Sequence, residues 1–272
     1  MVAIDAAPEP AKFMRKFEIP GFVYSVGAVA ALLLIWEALV ATGIISSFLL
    51  PAPSQIFRSL ADNFSLILSM SVATTAEFLL GFVMAVLVGL PLGALIVYSR
   101  PIRLTIYPLL VAFQSIPKPA IAPIMIVWLG TGLTSKAVIA FAIAFFPIVV
   151  DTAIGLRSAQ EETVHLVRSM GGNAFDIFRY VRFPNALPAI FGGLKIASTL
   201  AVVGAIVGEF VSADKGLGYL VLVANGNLDT RLVFACVFML TALGLAFYFA
   251  IEGLERAILR GRVKTQAFES DH

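Results

Sequence analysis

Charge is scarce in this sequence. Asp, Glu, Lys and Arg make up 13% of its 272 residues, against 60% hydrophobic, and the mean hydropathy is +0.96. That balance excludes an ordinary soluble domain of this length and fits a chain that crosses a membrane repeatedly. Cysteine is almost absent: the single Cys236 excludes an intrachain disulfide, lies in an apolar run, and reads as a core residue. There are two histidines, His165 and His272, both outside the apolar runs. With no Ser-His or His-Glu-x-x-His arrangement at membrane depth and no paired aspartates within one run, an intramembrane enzyme is not expected, and neither is a metal cluster. No Gly-Lys dipeptide occurs, so the chain has no phosphate-binding loop of the G-x-x-x-x-G-K-[ST] kind; no cofactor is expected. The net charge of +2 is spread along the chain and builds no face for nucleic acid.

What the sequence has in plenty is long apolar runs. Six are expected to span the membrane as helices, at about residues 22–42, 69–98, 105–129, 137–152, 186–211 and 232–252. The fold class is therefore all-α and polytopic. Residues 1–20 read as a polar tail with a short amphipathic piece at 13–17, residues 21–255 as the transmembrane domain, and 256–272 as a second tail. The first run is too long for a signal peptide and reads as an uncleaved span. Two amphipathic pieces are expected at the outer surface, 49–64 and 216–227. In the second span Ala85, Gly89 and Gly93 form a small-residue face, and in the fifth Gly193, Ala197, Ala201 and Ala205 form a ridge at steps of four. The third span is interrupted by Pro117, Pro119 and Pro123. A loop is expected at 130–136, which puts Lys136 on the outer side. With both ends inside, thirteen of the 19 basic residues fall on the cytoplasmic side, which supports six spans.

The one long polar passage between spans runs from 158 to 188, SAQEETVHLVRSMGGNAFDIFRYVRFPNALP. Ser158 with Glu161 reads as a capping box at the start of a three-turn helix ending at Met170. Gly171-Gly172 supplies a left-handed residue, Asn173 caps a second helix with Asp176 in its first turn, and Pro184 is expected to stop it. Phe175, Phe178 and Val181 at steps of three, with Ile177, form an apolar knob beside Arg168, Arg179 and Arg182.

That passage resembles the EAA loop of the inner-membrane permeases of bacterial ABC importers. Gly171 and Pro184 match the loop's glycine and proline, and Val181 and Phe183 are conservative replacements; the E-A-A triplet itself falls on His165-Leu166-Val167, which departs from the pattern. Trp36-Glu37, LLPAPSQIFRSL at 49–60, QSIPKPAIAPIMIVWLGTG at 114–132 and GEFVSADKGLGYL at 208–220 are similar to permeases for nitrate, sulfonate, taurine and bicarbonate. The resemblance implies the type I importer permease fold, a permease pair that is a homodimer, two cytoplasmic ATP-binding subunits, a periplasmic or lipid-anchored solute-binding protein, and residence in the inner membrane. It implies that Glu161, Glu162, His165, Gly171, Gly172, Phe175, Phe178 and Pro184 couple the chain to its ATPase. The cargo it implies is a small oxyanion or organosulfonate. The Ser115-Ile116-Pro117-Lys118 phrase is also similar to carriers of pyrimidine-type or other vitamin precursors. The competing class is an ion-gradient-driven transporter, which is expected to show paired broken helices where only the third span here looks broken.

Ionisable and polar groups inside spans are the remaining candidates. Lys118, between two prolines, is a candidate pathway group, with Gln114 and Ser115 beside it; its alternative is to snorkel to the interface. Glu77 is a pathway candidate or an interhelical hydrogen-bonding group. Glu209, near the outer end of the fifth span, is a candidate gate or contact for the binding protein. Lys195 is expected to snorkel inward.

Overall fold

A computed structural model describes residues 21–212 and 214–259; the tails 1–20 and 260–272, including the amphipathic piece expected at 13–17, lie outside the described residues. The described residues are helical, without a strand. In chain order the helices are α1 (Gly21–Ala41), α2 (Pro53–Asp62), α3 (Phe64–Tyr98), α4 (Arg100–Ser115), α5 (Lys118–Leu129), α6 (Leu133–Arg157), α7 (Glu161–Ser169), α8 (Ala174–Ile177), α9 (Phe183–Val211), α10 (Leu217–Gly226) and α11 (Thr230–Leu259). A five-residue π-helical turn, Phe178–Arg182, joins α8 to α9.

Among the described residues, α3, α6, the run Ala174–Val211 and α11 are each long and apolar enough to cross a membrane. The pair α4 and α5 is long and apolar enough when taken together, and is bent by 99° at its break. These elements coincide in order with the second to sixth expected spans; α1 lies where the first is expected, but its apolar stretch Val26–Ala41 is shorter than a span. Four of them are longer than the apolar runs suggest: α3 begins at Phe64, α6 runs from Leu133 to Arg157, the fifth starts at Ala174, and α11 continues to Leu259.

The described residues up to Ser54 form one compact unit and those from Gln55 another. Within the first, the Glu37 carboxylate accepts hydrogen bonds from Ser54 Oγ (2.6 Å) and Ser54 N (3.0 Å). Glu37 thus satisfies an orphan donor in the first turn of α2.

The second unit is organised on α6, which packs along both α3 and α9. The small-residue faces explain how. Ala85, Gly89 and Gly93 on α3 are buried, as are Gly193, Ala197, Ala201 and Ala205 on α9. At Ala140 of α6 the approach is closest. A Cβ on Gly81 of α3 would stand 2.6 Å from Ala140 Cβ, and one on Gly204 of α9 would stand 2.5 Å from Ala140 Cα. Neither flank can carry a side chain there, so backbones touch where in a soluble core side chains would interdigitate. Phe78 and Phe82 close the core against Phe247 of α11, with ring centroids 5.1 and 4.9 Å apart. By contrast, α4 contributes no buried residue and α5 only Ala122.

The span after α5 corrects one expectation. The loop ends at Gly132 and α6 starts at Leu133, so Lys136 lies in the first turn of the helix with 1% of its surface exposed.

Candidate functional site

The passage from α6 to α9 is a hinged pair of helices held from both ends. The capping box expected from Ser158 and Glu161 is not formed. Gln160 is the N-cap of α7 and makes no side-chain cap bond. Ser158 Oγ instead donates to the Gly155 carbonyl (2.8 Å) and accepts from Asn185 Nδ2 (3.0 Å). The serine is two residues too early to cap, and its hydroxyl ties the end of α6 to the start of α9. Glu161 and Glu162 occupy the first turn of α7, where the helix dipole favours them.

The glycine elbow is formed as expected. Gly171 has φ +85°, its N–H bonds to the Arg168 carbonyl (3.1 Å), and the Gly172 N–H bonds to the Val167 carbonyl (3.0 Å). These two bonds are the Schellman pattern, which satisfies the orphan carbonyls at the end of α7. Asn173 then starts α8 with a full capping box. Its Oδ1 accepts from Phe175 N (2.8 Å) and Asp176 N (3.1 Å), and Asp176 Oδ2 accepts from Asn173 N (2.9 Å). Val164 of α7 packs against Ile177 and Val181 across the elbow, so the two arms share a small core of their own.

Pro184 does not stop the second helix. The backbone widens to the π-helical turn, where the Phe183 N–H bonds to the Phe178 carbonyl, and Pro184 then sits in the first turn of α9. A proline ring clashes with the preceding turn of a continuous α-helix, and the extra residue in that turn gives it room. The helical run is therefore unbroken from Ala174 to Val211. The elbow is the end of a span and moves with it.

The expected apolar knob divides in two. Ile177 and Val181 are buried, and Phe178 packs edge-on to Tyr98 (5.9 Å) at the end of α3. Arg182 stands over the same tyrosine ring at 5.4 Å. Phe175 stays 62% exposed beside an apolar groove of about 500 Å³ between α3 and α8. His165 is exposed on α7.

At the bend of the third span, α4 ends at Ser115 and α5 begins at Lys118. Lys118 Nζ donates to the Gln114 carbonyl (2.7 Å), satisfying a carbonyl that the break leaves without a helical partner. Lys118 and Gln114 border a cavity of about 220 Å³ against α6, together with Phe113, Phe141, Phe145 and Phe146. Ser115 is exposed, and its Oγ donates back to the Val111 carbonyl (3.4 Å).

Glu77 and Glu209 face into the bundle. Lys136 Nζ lies 2.9 Å from Glu77 Oε1, with both side chains 1% exposed. Glu209 is fully buried and accepts from Thr74 Oγ1 (2.6 Å) and from the Gly218 N–H. Thr74 Oγ1 in turn accepts from Leu217 N (2.8 Å). Glu209 and Thr74 thus hold the first turn of α10, a helix N-terminus with donors to satisfy. Neither carboxylate presents a surface to a protein outside the chain in this conformation. Lys195 pairs with Glu255 of α11 at 2.7 Å.

The family model described as "Binding-protein-dependent transport system inner membrane component" matches residues 79–260. The chain belongs to this family of permeases. The formylaminopyrimidine transport permease protein of Halalkalibacterium halodurans is 37% identical over 234 residues, covering 86% of this chain and 93% of the relative. The riboflavin transport system permease protein of Chloroflexus aurantiacus is 36% identical over 251 residues, covering 91% and 92%. The taurine transport system permease protein of Escherichia coli is 27% identical over 241 residues, covering 86% and 88%. Among solved structures, an inward-facing conformation of the MetNI methionine ABC transporter matches with a TM-score of 0.62. It is 24% identical, covering 71% of this chain and 96% of that one, and its likeness concerns the fold.

The protein is thus a multi-pass inner-membrane ABC importer permease, not an enzyme, whose family implies ATP-binding and solute-binding partners. The elbow and its glycine are legible in the permease's sequence. The Lys136–Glu77 pair is not, although one signal was available. Lys136 stands one turn before Ala140, in register with the α6 face that the small ridges of α3 and α9 cover.

Proposed function

We propose that two copies of this permease form one pathway, with an ATP-binding subunit docked on each elbow and a solute-binding protein on the opposite face. Both termini then lie in the cytoplasm, consistent with the excess of Lys and Arg on that side. The observation that carries the coupling role is the elbow's construction. Its two arms share a core, its turn is fixed by Gly171, and its second arm continues without a break into α9. A push on Phe175 therefore displaces α9 as a rigid body, and α6 with it, because their backbones are in contact. Glu161, Glu162 and His165 line the exposed side of the first arm, where a partner reaches them. Gly172 and Pro184 keep the geometry of the turn and of the π-helical joint.

Copurification of the tagged chain from its membrane tests this. An ATPase recovered at one copy per permease and lost in Phe175→Ser supports the assignment; recovery unchanged by that substitution removes Phe175 from the interface. Phe175 is the informative position, since Phe178 also holds the elbow to Tyr98.

The pathway reading rests on the bend of the third span. Broken helices free backbone groups that are tolerated at membrane depth only where they are covered by protein or line a cavity. The adjoining cavity carries four phenylalanines against one ammonium and one amide side chain. Flat heteroaromatic solutes stack on such rings, whereas a small oxyanion asks for several converging donors. The permeases named for riboflavin and formylaminopyrimidine are also nearer in identity than the one named for taurine. The cargo proposed is therefore a flat heteroaromatic vitamin precursor, in preference to an organosulfonate. Uptake by cells carrying the complete importer decides the matter. Accumulation of riboflavin or a formylaminopyrimidine, reduced in Lys118→Met, supports it, and accumulation of taurine alone reverses the preference.

A further inference from the structure

Four arginines from four different elements converge on one cleft. Arg103 comes from α4, Arg157 from the last turn of α6, Arg168 from α7 and Arg182 from the π-helical turn. The cleft has a volume of about 440 Å³, and its other polar side chains are Glu161 and His165. None of the four arginines forms an ion pair with a carboxylate of the described residues. Arg182 is steadied on the ring of Tyr98, which fixes its plane and leaves its donors available. Val97 and Val164 make an apolar floor.

Four arginines line this cleft with one carboxylate, Glu161, and no ion pair to it, so positive charge is in excess and an anion is favoured there. The geometry fits a phosphate. Guanidinium groups bind phosphate oxygens in paired hydrogen bonds, and several of them can surround one tetrahedral anion. Position narrows the source. Val97, Arg103 and Arg157 stand near ends of the apolar helices α3, α4 and α6, where headgroups are expected, and Arg168 of the elbow lines the same cleft. Basic pockets between span ends are suited to anionic headgroups. Phe175, the apolar side chain on which an ATPase is proposed to dock, lines a different groove, while Glu161 and His165 edge this one.

We infer that this cleft is a binding site for the phosphate of an anionic phospholipid, wedged between the coupling elbow and the ends of the spans. Occupancy bridges Arg168 and Arg182 of the elbow to Arg103 and Arg157 of the spans, so the lipid stiffens the joint through which the elbow moves α9.

The test uses the full chain with its copurified partners, delipidated in mild detergent and titrated with phosphatidylglycerol or phosphatidylcholine under native mass spectrometry. The expected result is preferential retention of phosphatidylglycerol, weakened at least about tenfold in Arg157→Gln/Arg168→Gln, since each basic residue near an anionic lipid contributes about 1 kcal/mol. Arg58→Gln, a basic residue on α2 away from the cleft, leaves retention unchanged, and Arg168→Lys gives an intermediate loss that a misfolded protein would not show. Equal retention of the two lipids, or no effect of the double substitution, overturns the proposal. So does displacement of the lipid by a few millimolar inorganic phosphate, which would make free phosphate the ligand. Loss of the ATPase with lipid retention intact would assign the arginines to the protein interface instead.

Discussion

Lys136 and Glu77 face each other across α3 and α6 with almost no surface exposed, and Glu209 lies fully buried nearby, holding α10. Two carboxylates share this interior with one ammonium, and Glu77 Oε2 has no hydrogen-bond partner among the described residues. Such a group depends on the lysine. Removing one member of a buried pair leaves an uncompensated charge, at a cost of about 3–5 kcal/mol, whereas replacing both members by apolar residues is often nearly neutral. Lys136→Met is therefore expected to lower the thermal unfolding midpoint of the purified permease sharply, and Glu77→Leu/Lys136→Met to recover most of the loss. A single substitution that unfolds at the wild-type midpoint would show that the pair adds nothing to stability. The sequence hid this arrangement for a physical reason. Lys136 follows a Gly-x-Gly loop and precedes an apolar run, a pattern that also describes a charge at the membrane surface. Only the tertiary approach of α3 at Gly81 and of α9 at Gly208, where a Cβ would stand 3.2 Å from Lys136 Cα, closes the site over it.

The elbow shows what is legible at the level of single elements and what is not. Local chemistry wrote the turn: a positive φ calls for glycine, and Asn173 with Asp176 three residues on makes a capping box whose geometry is confined to those four residues. Local chemistry misread the joints. Ser158 has the right residue type for a cap but spends its hydroxyl on Gly155 and Asn185, and Pro184 is absorbed by a π-helical turn that no short-range pattern announces. The two glycines are held by different causes. Nothing lies within 4 Å of a Cβ added to Gly171, so its constraint is conformational alone; at Gly172 a Cβ would stand 2.6 Å from Val167 Cγ1 and 2.8 Å from the Val167 carbonyl. Gly171→Asn is thus expected to keep most uptake, because asparagine tolerates the left-handed region, while Gly171→Val loses it at a strain of about 1–2 kcal/mol. Gly172→Ala is expected to impair uptake by displacing α7. Membrane levels of all three should match the wild type on immunoblots. Equal uptake by Gly171→Val would mean that the turn's geometry plays no part in coupling.

Across the whole molecule, burial is uneven among the described residues. The core lies along α3, α6 and α9, while α4 has no buried residue, and Phe113 and Trp128 on the bent pair are 63% and 72% exposed. A uniformly lipid-facing span does not need to break. Turn bonds close the bend, from the Ile116 N–H to the Phe113 carbonyl (3.3 Å) and from the Ala120 N–H to the Pro117 carbonyl (2.9 Å), but it carries Gln114, Ser115 and Lys118, polar side chains that need protein or water beside them. The second copy proposed above would supply such cover, since an isologous contact about a twofold axis places like residues near the axis. The sequence makes this simple to test, because its one cysteine, Cys236, is buried. With Cys236→Ala as background, Ser115→Cys at the tip of the bend is expected to form a disulfide-linked dimer under mild oxidation in native membranes. Cysteine at Arg58, on the amphipathic α2, serves as the exposed control and is expected to stay monomeric. Crosslinking that varies with nucleotide would report the bends separating as the elbows move. Its absence at Ser115 and at neighbouring positions of the bend, in every nucleotide state, would place the exposed pair against lipid and the pathway elsewhere.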